Sequence, residues 1–131
     1  TKLVFKTDNI LYGKLRPNLN KVWLATYNGI CSTDIFVIAP KNNHSSIKFY
    51  SNYLRSENFN IEVLRGLKGA QLPRVGWQYF SKIKVPFPPL EIQNQIVAQI
   101  EKEQALVNAN KELITIFEQK IKDKIASVWG E

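Results

Sequence analysis

The sequence is poor in residues that build covalent or metal-bound frameworks. It has one cysteine, Cys31, and one histidine, His44, among 131 residues. A single cysteine excludes an internal disulfide and a cysteine-based zinc cluster, so its expected role is that of a small buried apolar residue. His44 lies in the polar stretch "KNNHSS", where a solvated histidine is expected rather than a catalytic base or a metal ligand. The sequence therefore predicts neither thiol chemistry nor a metal site.

Long apolar runs are also absent. No run reaches the length of about 20 residues that a membrane-crossing helix needs. The first residues, "TKLVFKTDNILYG", lack the charged, apolar and small-residue zones of a signal peptide. A cytoplasmic location without a membrane partner is expected.

Catalytic motifs are missing as well. There is no glycine-rich loop with a lysine that would hold phosphates, because "GLKG" at 66–69 is too short. The triplet "EQK" (Glu118 to Lys120) has a nuclease-type spacing, but it lies in a helical stretch where ordinary surface charge is expected. The chain alone is predicted not to be an enzyme.

The positive charge is concentrated in the first part of the chain. Residues 1–86 hold 13 Lys and Arg against 4 Asp and Glu, whereas residues 87–131 hold 5 against 7. The net charges are +9 and −2, which together give the +7 of the whole chain. A concentrated positive charge is typical of a nucleic-acid binder, although solubility alone could also explain it.

Short strands are predicted before Pro40. Their expected ranges are Lys2 to Lys6, Ile10 to Arg16, Lys21 to Tyr27 and Ile30 to Ile38. The dipeptide Asn28-Gly29 separates the last two and is the strongest short-range signal of a hairpin, because a type I′ turn needs φ above zero at both positions. The sequence predicts a strand-rich sheet in which these two strands form a hairpin.

Two short helices and a loop are predicted next. Apolar residues recur at helical spacing behind two candidate caps, Ser45 and Ser46, and a second helix is expected in "FNIEVLRGL" at 59–67. The stretch from Lys68 to Phe80 mixes glycine and proline with basic, amide and aromatic residues, which predicts an ordered loop suited to recognition. Trp23 and Trp77 are expected in the core rather than as stacking surfaces.

A long helix is predicted from Leu90 to Val128. No glycine or proline occurs between the prolines at 86, 88 and 89 and Gly130, the expected stop. Apolar residues recur every seven positions, with two more at the intervening position, as in an imperfect coiled-coil seam with one amide that would fix register. The predicted pairing residues are Ile96, Ile100, Val107, Asn110, Ile114, Phe117, Ile121 and Val128. Packing of this stripe on its own domain is the alternative, which the length of the helix disfavours.

Four stretches together resemble a known family. They are "DNILYGKLRPNLNKV" (8–22), "NGICSTDIFVIAP" (28–40), "GAQLPRVGW" (69–77) and "VPFPPLEIQNQIVAQI" (85–100). In this order and spacing they are highly specific, and the chain is similar to the specificity subunits of type I restriction-modification systems. In that family a target recognition domain reads DNA, and a long helix pairs antiparallel with a second such helix to hold two recognition domains apart.

The resemblance implies an α+β fold with two parts. Residues 1–86 would be the C-terminal part of a small, strand-rich target recognition domain with short helices, and residues 87–131 one long, protruding coiled-coil helix for spacing and dimerisation. The implied function is sequence-specific binding of double-stranded DNA as the target-selecting subunit of the complex. The implied partners are a methyltransferase subunit, a restriction and translocase subunit, and a second specificity repeat or a second copy of the chain. No cofactor is expected in this chain; S-adenosylmethionine, ATP and Mg would belong to the partner subunits.

The candidates for DNA contact are polar residues of the second strand, of the turn after it and of the predicted loop at 68–80. Arginine and lysine can bind guanine edges, asparagine and glutamine can bind adenine edges, and phosphate contacts position without selecting sequence. The candidates are Lys14, Arg16, Asn18, Asn20, Lys21, Lys68, Gln71, Arg74 and Gln78. Each could instead be an ordinary surface residue or make a structural hydrogen bond.

Two other functions stay open. A non-catalytic assembly protein that oligomerises through its long helix would show no steep loss of DNA binding with salt. A small nuclease would cleave DNA in a metal-dependent way, for which the sequence offers no metal site.

Overall fold

In residues 1–67 and 72–130, which the computed structural model describes, the chain forms five short strands and four α-helices. The strands are β1 (Lys2–Phe5), β2 (Ile10–Gly13), β3 (Val22–Leu24), β4 (Gly29–Ser32) and β5 (Ile35–Ile38). The helices are α1 (Ile47–Arg55), α2 (Glu57–Arg65), α3 (Trp77–Phe80) and α4 (Leu90–Trp129), and a 3-10 turn covers Pro17–Leu19. The backbone divides into two compact units, Thr1–Asn94 and the part from Gln95 onward.

The predicted fold class is confirmed. Strands β3, β2 and β5 form one antiparallel sheet in that order, and β1 and β4 form a second antiparallel pair. Short helices follow the strands, and one long helix ends the described chain. None of the described helices is long and apolar enough to cross a membrane.

The predicted hairpin at Asn28-Gly29 is wrong. Strands β3 and β4 lie in different sheets, and neither Asn28 nor Gly29 has the positive φ of a type I′ turn. The Asn28 side chain instead accepts a hydrogen bond from the backbone N–H of Thr7 at 2.9 Å. A turn at Thr33 and Asp34 divides the predicted fourth strand into β4 and β5. Strand β4 therefore pairs with the distant β1 and not with β3, despite the local turn signal.

Gly29 is required by packing. It lies opposite Phe5 in the β1–β4 register, and a Cβ at position 29 would lie 2.7 Å from Cζ of the buried Phe5 ring. We expect Gly29→Ala to lower the free energy of unfolding by about 1–3 kcal/mol, the usual cost of overpacking. Gly76→Ala is the matched control, because its Cβ would meet no atom within 4 Å. Urea unfolding of the two variants checks this, and equal stability would contradict it.

The main core joins the three-stranded sheet to α1, α2 and α3. It consists of Ile10, Tyr12, Phe36, Leu54, Phe59, Val63, Val75 and Phe80. Tyr12 is 1% exposed, and its ring lies 4.8 Å from that of Phe80. A smaller core of Phe5, Leu11 and Ala25 lies on the other side of β2, and the half-buried Cys31 packs against it as a small apolar residue. Alternate residues of β2 thus face two different cores.

The hydroxyl of Tyr12 is buried without a hydrogen-bond partner among the described residues. Burial raises the pKa of Tyr12 from 10.0 to about 12, because the phenolate would lose its hydration. Tyr12 ionises at a lower pH in the unfolded chain than in the folded chain. The free energy of unfolding is therefore unaffected by Tyr12 well below pH 10 and falls as the pH rises from 10 towards 12. The loss at pH 11 is about 1 kcal/mol.

Tyr12→Phe removes this dependence. We expect the variant to be at least as stable as the original chain at pH 7, because the unpaired hydroxyl is gone, and to lose less stability between pH 9 and pH 11. Urea unfolding across that range measures the difference, with Tyr27→Phe as the control because Tyr27 is 62% exposed. The same pH dependence in all three proteins would show that Tyr12 does not cause it.

Serine side chains cap the first turns of α1 and α2. Ser46 caps α1 by accepting a hydrogen bond from the Phe49 N–H, and Ser56 caps α2 by accepting one from the Phe59 N–H. Both predicted helices are confirmed, with Ser46 as the cap of the first. The second strand is shorter than predicted, because β2 ends at Gly13 and Arg16 adopts the left-handed conformation at φ 51°.

The predicted long helix is also confirmed. Helix α4 has 40 residues and ends at Trp129, just before Gly130 at φ 75°. At about 1.5 Å per residue its length is about 60 Å.

Candidate nucleic-acid interface

A short ladder joins the two candidate DNA-contact segments. Leu15 and Arg74 form an antiparallel bridge. The Val75 N–H donates to the Lys14 carbonyl at 3.2 Å, and the Arg16 N–H donates to the Pro73 carbonyl at 2.9 Å. The end of β2 and the segment before α3 are therefore held side by side, although about 60 residues separate them in sequence. The predicted candidates Lys14, Arg16 and Arg74 come together here.

The Lys14 ammonium is held over an aromatic ring. Its Nζ lies 4.6 Å from the centre of the Phe36 ring and donates to the Thr33 carbonyl at 2.7 Å. An ammonium has three donors, so Lys14 keeps donors for a phosphate or a base edge. The cation–π contact and the hydrogen bond fix the direction of its side chain.

Arg74 lies beside one carboxylate. Its Nη2 is 3.4 Å from Oδ2 of Asp34, and the two side chains are 59% and 39% exposed. A long, solvated ion pair contributes little stability. The Arg74 Nη2 donates to Asp34 Oδ2, and the guanidinium keeps its other donors for a ligand. Arg74 is therefore available for bidentate contact with a phosphate or a guanine.

Trp77 packs on the same Phe36 ring as the Lys14 ammonium and is 58% exposed. Its ring packs against Phe36 at 5.2 Å and Phe80 at 6.1 Å between ring centres. The expectation that Trp77 belongs to the core is wrong, because those two rings occupy the interior and leave Trp77 on their outer side. Trp23 behaves as expected and packs against the smaller core. Lys14, Asp34, Phe36, Arg74 and Trp77 are called the basic aromatic cluster below.

The other candidates, which lie around the 3-10 turn and just before β3, differ in role. The Arg16 guanidinium and the Asn18 side chain are exposed, and neither has a hydrogen-bond partner among the described residues. Asn20 donates through Nδ2 to the Arg55 carbonyl at 2.5 Å, at the end of α1, which is a structural contact. The stem of Lys21 lies against Gly13, 3.1 Å from where a Cβ would be.

Three candidates belong to the predicted loop. Gln78 is exposed on α3, directly after Trp77. Lys68 and Gln71 lie outside the described residues. The predicted loop is not entirely irregular, since Trp77–Phe80 forms a helical turn. Gly76, the N-cap of this helical turn, follows closely after the bridge that holds Arg74.

A second candidate surface lies on α4 from Gln95 onward. The apolar residues of the predicted seam are largely exposed in the single chain, as Val128 at 69% illustrates. Ile96, Val107, Ile114, Phe117 and Ile121 are all exposed, Asn110 is exposed among them, and Ile100 is half-buried. Leu106 and Leu113 widen the stripe on one side. An apolar stripe of this length is typical of a helix that pairs with another.

Comparison with known proteins decides the family. The family described as the type I restriction modification DNA specificity domain matches residues 2–122. The chain belongs to this family. The match includes both candidate surfaces of this type I specificity domain, the basic aromatic cluster and most of α4.

The chain aligns with part of one longer relative. The chain is 34% identical over 97 residues to the type I restriction enzyme EcoDI specificity subunit of Escherichia coli. The aligned stretch covers 74% of this chain but 21% of the relative. The chain therefore spans about a fifth of that relative's length.

Sequence reasoning missed some residues of the cluster in this specificity domain. Asp34 and Phe36 lie in the "STDIF" segment, but nothing local indicates that they meet Lys14 and Arg74. Exposure of Trp77 depends on which of three neighbouring aromatic rings is innermost, which only the packing decides. Within the residues that the structure describes, no three His, Cys, Asp or Glu side chains lie together as a metal site.

Proposed function

We propose that this specificity domain binds double-stranded DNA in a sequence-specific manner, as the target-selecting part of a type I restriction-modification complex. The basic aromatic cluster carries the proposal. It presents two oriented cations and an exposed indole on the part of the chain whose net charge is +9. Family membership supports it, since the family is described by its DNA specificity.

The cluster suits base reading as well as phosphate binding. Arg74 has the planar fork that pairs with guanine N7 and O6, and Lys14 can bind the same edge or a phosphate. Trp77 offers an apolar surface of the kind that contacts the methyl group of thymine. Asp34 would repel a phosphate at this position and can accept a hydrogen bond from cytosine. A mixed set of this kind favours selection over uniform binding.

Helix α4 would provide the second half of the function. Its exposed stripe is proposed to pair with an equivalent helix, from a second specificity repeat or from a second copy of this chain. Two identical DNA-reading units related by a two-fold axis would recognise two inverted half-sites. The helices would then set the distance between the half-sites.

The remaining partners follow from the proposed complex. A methyltransferase subunit would bring S-adenosylmethionine, and a restriction and translocase subunit would use ATP and Mg. The specificity domain itself would contribute no group to the chemistry. Its role would be to bring those subunits to the target.

Titration of fluorescent duplex DNA with the chain at several salt concentrations tests this proposal. The logarithm of the association constant should fall steeply with the logarithm of salt, by about 0.9 for each phosphate that is neutralised. Specific duplex should also outcompete random duplex at moderate salt. Weak, salt-independent retention would overturn the proposal and favour the assembly protein, while cleavage in the presence of metal would favour the nuclease.

A further inference from the structure

Gln93 is a polar residue where an apolar one would be expected. It lies in the first turns of α4 and is 0% exposed. Burial of an amide costs several kcal/mol unless its polar atoms are hydrogen-bonded. Its partners therefore explain why the position is occupied by glutamine.

The Gln93 amide joins three segments of the chain. Its Oε1 accepts a hydrogen bond from the Ser46 N–H at 2.7 Å. Its Nε2 donates to the His44 carbonyl at 3.0 Å and to the Pro88 carbonyl at 2.9 Å. One side chain thus connects the start of α4, the proline junction before it and the loop before α1.

The loop that Gln93 holds is itself fixed. Ser46 is the N-cap of α1, and α1 buries Phe49 and Leu54. A second tie runs from α1 to the proline junction, because the Tyr50 hydroxyl donates to the Pro86 carbonyl at 3.0 Å. All of these contacts lie within the unit Thr1–Asn94. The first turn of α4 is therefore attached to the same unit as the basic aromatic cluster.

We propose that Gln93 is a positioning residue for two-part DNA recognition. It fixes the beginning of α4 on the DNA-reading unit, and α4 continues without interruption to Trp129. This attachment of the first turn would help two paired helices to hold the half-sites at one separation. The inference rests on the proposed function.

Glutamine meets the requirements of this position better than residues of similar shape or chemistry. Glutamate keeps the acceptor for Ser46 but has no donor for the two carbonyls when it is ionised. Methionine has a similar length but provides neither the amide donor nor a strong acceptor. Asparagine is one methylene shorter and would not reach all three partners. Gln93→Met and Gln93→Glu are therefore expected to loosen the junction in two chemically different ways.

The test is selection from randomised duplex DNA with the full chain and these two variants. Gln95→Met is the matched control, because Gln95 is an exposed residue two positions further along the same helix. We expect the original chain and Gln95→Met to enrich two inverted motifs at one separation. Gln93→Met and Gln93→Glu should enrich the same motifs at several neighbouring separations.

Hydrogen exchange gives a second readout that needs no DNA. Backbone amides in residues 42–46 and 90–94 should exchange about tenfold faster in the Gln93 variants, with the core strands unchanged. An unchanged single separation would overturn the positioning role. Loss of the motifs themselves would assign Gln93 to the folding of the unit and would also overturn it. If the original chain enriches no motif, the proposed function fails, and exchange alone then shows whether Gln93 holds α4.

Discussion

Replacing Val107 and Ile114 together by aspartate is expected to turn paired chains into single chains. Both residues lie seven positions apart on the exposed apolar stripe of α4. A pair of such helices would bury four carboxylates, each of which costs at least about 1 kcal/mol without a partner. We expect the dissociation constant of the pair to rise at least about a thousand-fold. Sedimentation equilibrium measures the mass directly.

The control for this variant adds the same negative charge to an adjacent face of α4. Asn108→Asp together with Thr115→Asp places two carboxylates next to the substituted positions, on a helix face outside the stripe. These side chains would stay in water, so pairing should be retained within about threefold. An unchanged mass in the Val107 and Ile114 variant would show that the stripe does not hold two chains together.

Neutralising Lys14 and Arg74 together is expected to cause the second large effect, a loss of DNA affinity. Each oriented cation is worth about 1–3 kcal/mol if it reads a base, and one phosphate contact if it does not. We expect Lys14→Gln with Arg74→Gln to bind specific duplex at least about 30-fold more weakly and to lower the salt slope by about 2. Fluorescence anisotropy at three or more salt concentrations measures both quantities.

Lys82→Gln with Lys84→Gln is the matched control for the basic aromatic cluster. It removes the same charge from two exposed lysines outside the cluster. We expect a small loss of affinity that reflects net charge alone, without a change in sequence preference. Equal losses in the two double variants would mean that the cluster is not the reading surface.

Helices α1, α2 and α4 could be predicted because their signals are local. Prolines before Leu90, the absence of any breaker up to Gly130 and the recurring apolar residues suffice to define α4. Ser46 caps the start of α1, and Ser56 ends α1 and caps the start of α2. Such features depend on neighbours in sequence, which the sequence shows directly.

The strand pairing and the site could not be predicted in the same way. Asn28-Gly29 carries the correct residues for a tight turn, yet Gly29 serves to admit the Phe5 ring and Asn28 binds Thr7. Asp34 and Arg74 meet across 40 positions, and Gln93 reaches Ser46 across 47. Contacts of this kind arise from tertiary packing, which overrides local propensity.

Candidate residues that looked alike in sequence also separate in the structure. The sequence makes Asn20 a candidate base reader because amides pair with adenine, but its Nδ2 donates to the Arg55 carbonyl at the end of α1. Lys14 has a ring beneath it and Arg74 has a carboxylate beside it. The residue types indicate DNA binding, whereas the neighbours of each side chain decide which residues would be available for it.

Selection from randomised duplex DNA, with excess non-specific competitor at fixed moderate salt, tests the central claim most directly. Sequencing the retained duplexes should show two short motifs, inverted relative to each other, at one constant separation. That result would establish base reading and a fixed distance between two reading units in one experiment. Retention without any enriched sequence, or no retention at all, would contradict the assignment of this chain as a unit that selects a DNA target.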